Sequence, residues 1–167
     1  LCLRIEPMSA MTCPTNTYPS IPMTLEKLRI RWYWEEAKWQ DYYYLGNTRI
    51  IDAAVYWKEN SYLSGTLMCL SFQFQKHLSL GRGGAILCDK EYTYNVLKAM
   101  TYDGRQPNIP WKDQDIKHIG YHYYMTPETA QQGIDSLDNA IETAPKLCTS
   151  SDYPDLRKMT VFATKLD

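Results

Sequence analysis

Three short apolar runs constrain this chain more than any other feature: Thr48-Arg-Ile-Ile-Asp52, Leu67-Met-Cys-Leu-Ser-Phe72 and Ala85-Ile-Leu-Cys88. Each reads as a strand of a buried sheet. Leu28-Arg-Ile-Arg-Trp-Tyr33 alternates apolar and polar residues, as a half-buried strand does. Helical spacing takes over from Lys90 to Met100, with Asp89 as the expected N-cap, Val96, Leu97 and Met100 on one face, and a stop at Asp103-Gly104. A second helix opens with Thr126 as N-cap, Pro127 in the first turn and Glu128 near the positive dipole end. It carries Ala130, Ile134, Leu137 and Ile141 on one face until Pro145. Between the helices, Arg105 to Ile119 holds Pro107 and Pro110 and reads as an ordered loop. Strands mixed with helices predict an α/β domain, and in such sheets ligands collect beyond the carboxyl ends of strands.

A length of 167 residues fits one domain with a sizeable core. The expected division is an α/β domain over 1–148 and a C-terminal tail over 149–167, with a final strand at Met159 to Phe162. Eighteen basic and 19 acidic residues leave a net charge of -1 with Lys and Arg scattered, so nothing marks a nucleic-acid or anionic-membrane surface. Apolar runs fall short of the ~20 residues of a membrane span. Five widely spaced cysteines fit reduced thiols in a cytoplasm, and without a CxxC pair or close His/Cys cluster no metal is expected. The chain begins with Leu1, which suggests a piece of a longer reading frame.

Chemistry concentrates at two places. Asp52 ends an apolar run, where a carboxylate needs a cationic or hydrogen-bonding partner; the plain alternative is an aspartate that caps the following turn. Lys76 follows the aromatic strand end Phe72-Gln-Phe74 and precedes a turn, Leu80-Gly-Arg-Gly-Gly84, whose glycines let backbone approach a ligand closely. Otherwise it is a solvated loop lysine, the usual fate of that residue. A phosphate-binding role for the turn itself is weak, because Ala85-Ile-Leu continues as a strand and not as a helix.

Asp52-Ala-Ala54, then Ser71-Phe-Gln-Phe-Gln-Lys76, then Gly81-Arg-Gly-Gly-Ala85 occur in the order and form of the DegT/DnrJ/EryC1/StrS sugar aminotransferases, fold type I enzymes dependent on pyridoxal 5'-phosphate (PLP), and the chain resembles that family. Two further segments extend the resemblance. Pro14-Thr-Asn-Thr17-Tyr18 is similar to the family segment whose aromatic stacks on the cofactor ring, and Gly120-Tyr-His122-Tyr-Tyr-Met125 is similar to Gly-Tyr-Asn-Tyr-Arg-Met, whose asparagine reaches a neighbouring subunit's phosphate.

The resemblance implies a partial PLP-transferase large domain, with a mixed, mostly parallel sheet flanked by helices and the small C-terminal domain absent. It implies that Lys76 carries the cofactor covalently and shuttles a proton, and that Asp52 keeps the pyridine nitrogen protonated. Ser71 and His122 would hold the phosphate, Tyr18 and Ala54 would sandwich the ring, and Arg82 would contact substrate. The implied reaction moves an amino group from a donor such as glutamate to a keto-sugar nucleotide, in a cytoplasmic homodimer. Three departures support an alternative, a catalytically degenerate binding or structural module. Val55 stands where the family has Gln or His, no glycine precedes Gly46 where a phosphate loop is expected, and the interval from Tyr18 to Asp52 is contracted.

Overall fold

The computed structural model describes residues 1–6 and 10–163. A four-residue helix, α1 (Cys2–Ile5), leads into β1 (Met11–Pro14), α2 (Ser20–Lys27) and β2 (Trp32–Glu35). β1 and β2 pair in parallel, Met11 opposite Trp32 and Pro14 opposite Glu35, with α2 as the crossover that parallel strands require. Leu25 of α2, Met11, Cys13 and Trp32 are all buried against one another.

Second comes a four-stranded sheet in the order β3 (Tyr43–Tyr44), β4 (Ile50–Asp52), β5 (Leu67–Ser71), β6 (Gly84–Leu87). Its centre is the parallel pair β4–β5, with Ile50 opposite Leu67 and Asp52 opposite Cys69. The outer strands β3 and β6 run antiparallel to their neighbours. The expected mixed pairing is present: over the two sheets, β1–β2 and β4–β5 are parallel and β3–β4 and β5–β6 antiparallel.

Side chains alternate across a strand, and that period sorts the core into two layers. Ile50, Leu67, Cys69 and Ile86 face the β1–β2 layer together with Tyr43, Leu45 and Leu97. Ile51, Met68, Leu70, Ala85 and Leu87 face the other way, onto Phe72, Leu78, Leu80 and Ala140.

Both expected helices form. α3 (Glu91–Thr101) buries Val96, Leu97 and Met100, and the chain leaves it through Asp103 and Gly104, both at positive φ. Asp89 does not cap it; Lys90 holds that position while the Asp89 carboxylate accepts from Gly65 N–H at 2.8 Å and Ser64 Oγ at 3.1 Å. α4 (Pro127–Glu142) starts as expected, with Thr126 Oγ1 accepting from Thr129 N–H at 3.3 Å. Its inward face differs from the expected stripe. Ala140 is buried and Gly133 meets Leu80, whereas Ile134 and Ile141 are 65% and 45% exposed. The small residues let the helix lie close to the sheet, which turns the β-branched pair outward.

Two expected strands change. Residues 28–31 close α2 and reverse through Arg29 at φ 55, so β2 begins only at Trp32. The C-terminal segment forms short 3-10 turns, Leu156–Lys158 and Thr160–Phe162, in place of the expected strand. The first starts at Asp155, whose carboxylate accepts from Arg157 N–H and holds the Arg157 guanidinium, fixing a tight local turn. That segment joins the first layer: Leu156 is fully buried and donates its N–H to Thr15 O at 2.9 Å, and the Phe162 ring meets Trp34 edge-on at 5.5 Å. The last four residues of the expected tail, 164–167, lie outside the described residues. Among the described residues no helix is long and apolar enough to cross a membrane.

Leu156→Ala is expected to lower unfolding free energy by about 2–5 kcal/mol, the range for deleting a buried leucine side chain. Val161→Ala, in the same segment but 61% exposed, should change it by less than about 0.5 kcal/mol. Urea unfolding of both variants measures the contrast.

Candidate active site

Strand parity places Asp52 on the same sheet face as Cys69, its register partner, and Ser71, two residues further along β5. These side chains open into a cavity of about 470 Å³ between that face and the start of α2, within the range of about 300–1,000 Å³ usual for small-molecule sites. Ala54, Lys76 and Tyr18 line the same cavity, so five of the seven residues singled out in the sequence converge on it.

Asp52 is the best-supported group. Its Oδ2 accepts from the Tyr43 hydroxyl at 2.6 Å and its Oδ1 from Ala54 N–H at 3.1 Å. The Ala54 bond is the aspartate turn contact anticipated as the plain alternative, and it coexists with the Tyr43 bond. Burial pushes the Asp52 carboxyl above its ordinary pKa, opposed by these two bonds and by the positive charge of Lys76. The Tyr43 hydroxyl is itself bonded to Thr17 Oγ1. Burial first, then the neighbouring Asp52 charge, pushes its pKa far up, so it remains a protonated donor at every physiological pH.

Lys76 sits in a turn fixed by its own backbone. Lys76 N–H donates to Gln73 O at 2.8 Å, Leu80 N–H to Phe72 O at 2.9 Å, and the buried Phe72, Leu78 and Leu80 anchor the loop in the core. His77 pins it from outside, its Nε2 lying 2.8 Å from Ala140 O and 3.1 Å from Thr143 O at the end of α4. Phe74 does not shield the lysine; it is 64% exposed. The half-buried Lys76 side chain has no hydrogen bond or ion pair among the described residues, which leaves Nζ available in the cavity.

The other two residues lie elsewhere. Arg82 is exposed in the glycine turn. There the tight approach is to β5, since a Cβ on Gly84 would stand 2.3 Å from Leu70 O, so this glycine serves strand pairing and not ligand contact. His122 is exposed beside the end of α3, with Nδ1 3.1 Å from Asp103 Oδ2 and Nε2 2.7 Å from the Tyr124 hydroxyl. Tyr18 lines the cavity while remaining 55% exposed. Sequence reasoning missed Tyr43, one of three consecutive tyrosines (Tyr42 to Tyr44). The signal that finds it is the antiparallel register that sets Tyr43 directly opposite Asp52.

Over residues 58–146, more than half of the chain, the sequence matches the model of the DegT/DnrJ/EryC1/StrS aminotransferase family. The chain belongs to that family. Its match includes Ser71, Lys76, Arg82 and His122 but begins after Asp52 and Ala54; the shared cavity connects those two to Lys76. The fold is similar to a solved structure described as a candidate PLP-dependent aminotransferase from Bacillus cereus ATCC 10987. The likeness has a TM-score of 0.59 and 15% identity over 80% of this chain and 48% of that one. This chain therefore spans about half the length of that structure. No curated protein matches the chain.

The donor set fits PLP, the cofactor that membership of the family implies, at the ring end. A carboxylate with lone pairs to spare, an unpartnered lysine and the small Ala54 share one cavity of sufficient size. The same cavity offers the Ser71 hydroxyl and the side chains of Gln73 and Gln75, and none of its lining residues is an arginine.

Because the folded pKa of Asp52 lies above its unfolded value of about 4, the native chain holds a proton there that the unfolded chain has already released. Stability must therefore fall as pH rises through that window. Asp52→Asn should remove this part of the slope, and Tyr43→Phe should extend the window upward by deleting a donor to the carboxylate. Carboxyl titration by NMR together with unfolding from pH 4 to 7 checks both.

Proposed function

We propose that the protein acts in PLP-dependent transfer of an amino group from an amino donor such as glutamate to a keto-sugar nucleotide. The observation that carries this reading is the convergence of Asp52 and Lys76 on one cavity, with Ala54 and Tyr18 beside them. PLP, when bound, supplies an electron-accepting ring on which an amino group changes hands.

Each protein group has a definite task in that reaction. Asp52, held by Tyr43 and Ala54 N–H, accepts a hydrogen bond from the protonated pyridine nitrogen and keeps it charged. Lys76 is the residue that would hold the cofactor covalently, and its Nζ accepts and returns the proton that moves during transfer. Tyr18 and Ala54 would sandwich the ring, Ala54 being small enough to leave room for it, and Ser71 would donate to the phosphate.

His122 lies outside the cavity of its own chain. Under this reading it serves a second copy, so the working unit is a homodimer in which the segment from Gly120 to Met125 reaches the partner's phosphate. Arg82, exposed in its turn, meets substrate, and the reaction takes place in the cytoplasm. A second reading, a binding module that has lost catalysis, is favoured by two observations: Val55 lines the cavity where the family places Gln or His, and no arginine is among the lining residues.

Incubation with PLP followed by borohydride should fix the cofactor on Lys76, as read by peptide mass mapping. Lys76→Ala should abolish the label while leaving the circular dichroism spectrum unchanged. Label spread over exposed lysines such as Lys58 and Lys90, with none at Lys76, would overturn the proposal. Label at Lys76 without turnover of any keto-sugar nucleotide would select the second reading.

A further inference from the structure

We infer that Cys2 and Cys69 form a modification site for a hydroperoxide, which oxidises the two thiols to a disulfide in the wall of the cavity. The inference is independent of the cofactor reading, because it rests on the two sulfurs and their surroundings alone. Cys2 lies on α1 and Cys69 on β5, 67 positions apart in the chain, yet their Sγ atoms are 3.8 Å from each other. A disulfide needs about 2.05 Å, so the sulfurs must close by roughly 1.8 Å, a movement that side-chain rotation and a small shift of a four-residue helix can supply.

Cys13 and Cys148 are placed differently, while Cys88 packs against the same cluster as Cys2 but is not among the residues lining the cavity. Cys13 is fully buried with its Sγ 3.7 Å from Pro14 O, and Cys148 Sγ points to the Tyr153 hydroxyl at 3.7 Å. Cys2 and Cys69 both line the cavity, which gives a small oxidant a path to a pair otherwise covered by protein.

The pair is also asymmetric. The hydrogen bond shared with Cys69 pushes the Cys2 thiol toward the thiolate against the opposing effect of burial, whereas the same bond and burial hold Cys69 well above the ordinary thiol range. Cys2 is therefore the nucleophile and Cys69 the resolving thiol. In the first step the Cys2 thiolate attacks one peroxide oxygen, the O–O bond breaks, and Cys2 becomes a sulfenic acid while hydroxide leaves and takes up the proton Cys2 had released. In the second step Cys69 sulfur attacks Cys2 sulfur, the S–O bond breaks, and the departing hydroxyl leaves as water with the Cys69 proton. Two thiols and one hydrogen peroxide become one disulfide and two waters.

The bond would tie α1 to the central strand. At present α1 is held by the Glu6–Arg49 ion pair just beyond its end and by Arg4 Nε donating to the Tyr121 hydroxyl at 3.1 Å. A covalent link between positions 2 and 69 restricts the unfolded chain, so the oxidised form must unfold at higher temperature.

The test treats the full chain with one equivalent of hydrogen peroxide, alkylates the remaining thiols, and maps peptides without reduction. The expected result is a peptide crosslinked from Cys2 to Cys69, loss of two of the five free thiols, and a Tm raised by about 5–15 °C that dithiothreitol reverses. Cys69→Ser should abolish the crosslink and the Tm shift and leave Cys2 as a sulfenic acid trapped by dimedone; Cys148→Ser should behave as wild type. A map in which Cys2 and Cys69 remain thiols, or are joined to other cysteines or to another chain, would overturn the inference. The wild-type peptide map is decisive by itself, whether or not the Cys69→Ser chain folds.

Discussion

Burial of the Asp52 carboxyl at the end of β4 costs free energy unless donors meet it, and the way it is met organises the molecule. Tyr43 reaches it only because β3 lies antiparallel to β4 in the register that sets the two residues opposite each other. The same hydroxyl bonds Thr17, in the turn between β1 and α2. One chain of hydrogen bonds, Thr17 to Tyr43 to Asp52, thus fastens the two-stranded layer to the four-stranded sheet. The cavity lies where the two layers meet, so the contact that orients the carboxylate also holds the walls of its site apart at a fixed distance.

The period of two does the remaining placement. Asp52, Cys69 and Ser71 share one face for the same reason that Ile51, Met68 and Leu70 share the other. A one-residue slip of β4 against β5 would turn the carboxylate into the opposite apolar layer. The buried Ile50, Ile51, Leu67 and Met68 oppose such a slip, so the apolar runs that make the sheet stable also fix the aim of the polar residues embedded in them.

The same physics separates what is legible in the sequence from what is not. The runs around Ile50, Leu67 and Ala85 announce their strands because burial on both faces leaves an uninterrupted apolar string, and Thr126-Pro127 announces α4 because capping chemistry is local. The gathering of Asp52, Ala54, Ser71 and Lys76 follows from strand ends and family motifs. Tyr43 is not legible, since its role depends on a register that no local pattern encodes, and tyrosine is the commonest aromatic here. The inward face of α4 is hidden too, because helical periodicity finds an apolar stripe but not which small residues will permit close approach. Gly133 and Ala140 win that contact over Ile134 and Ile141. The final segment reads as a strand from Val161 and Phe162, but Asp155 bonding back to Arg157 sets a turn first.

The start of α2 adds little to the polar resources of the cavity. Helix N-termini ordinarily offer free N–H groups to an anion, and α2 begins at the cavity. Pro19 and Pro22, however, have no N–H, and Ile21 and Met23 already donate to Tyr18 O and Pro19 O. Ser20 is the remaining backbone donor of that first turn, so α2 cannot cradle an anion as a glycine loop would. The charged side chains of the lining are, by contrast, Asp41, Lys76 and Asp52, the last fixed by two hydrogen bonds. Lys76 is thus the one cationic side chain among the lining residues, and the hydroxyl and amide groups of Ser71, Gln73 and Gln75 that share the cavity carry no charge.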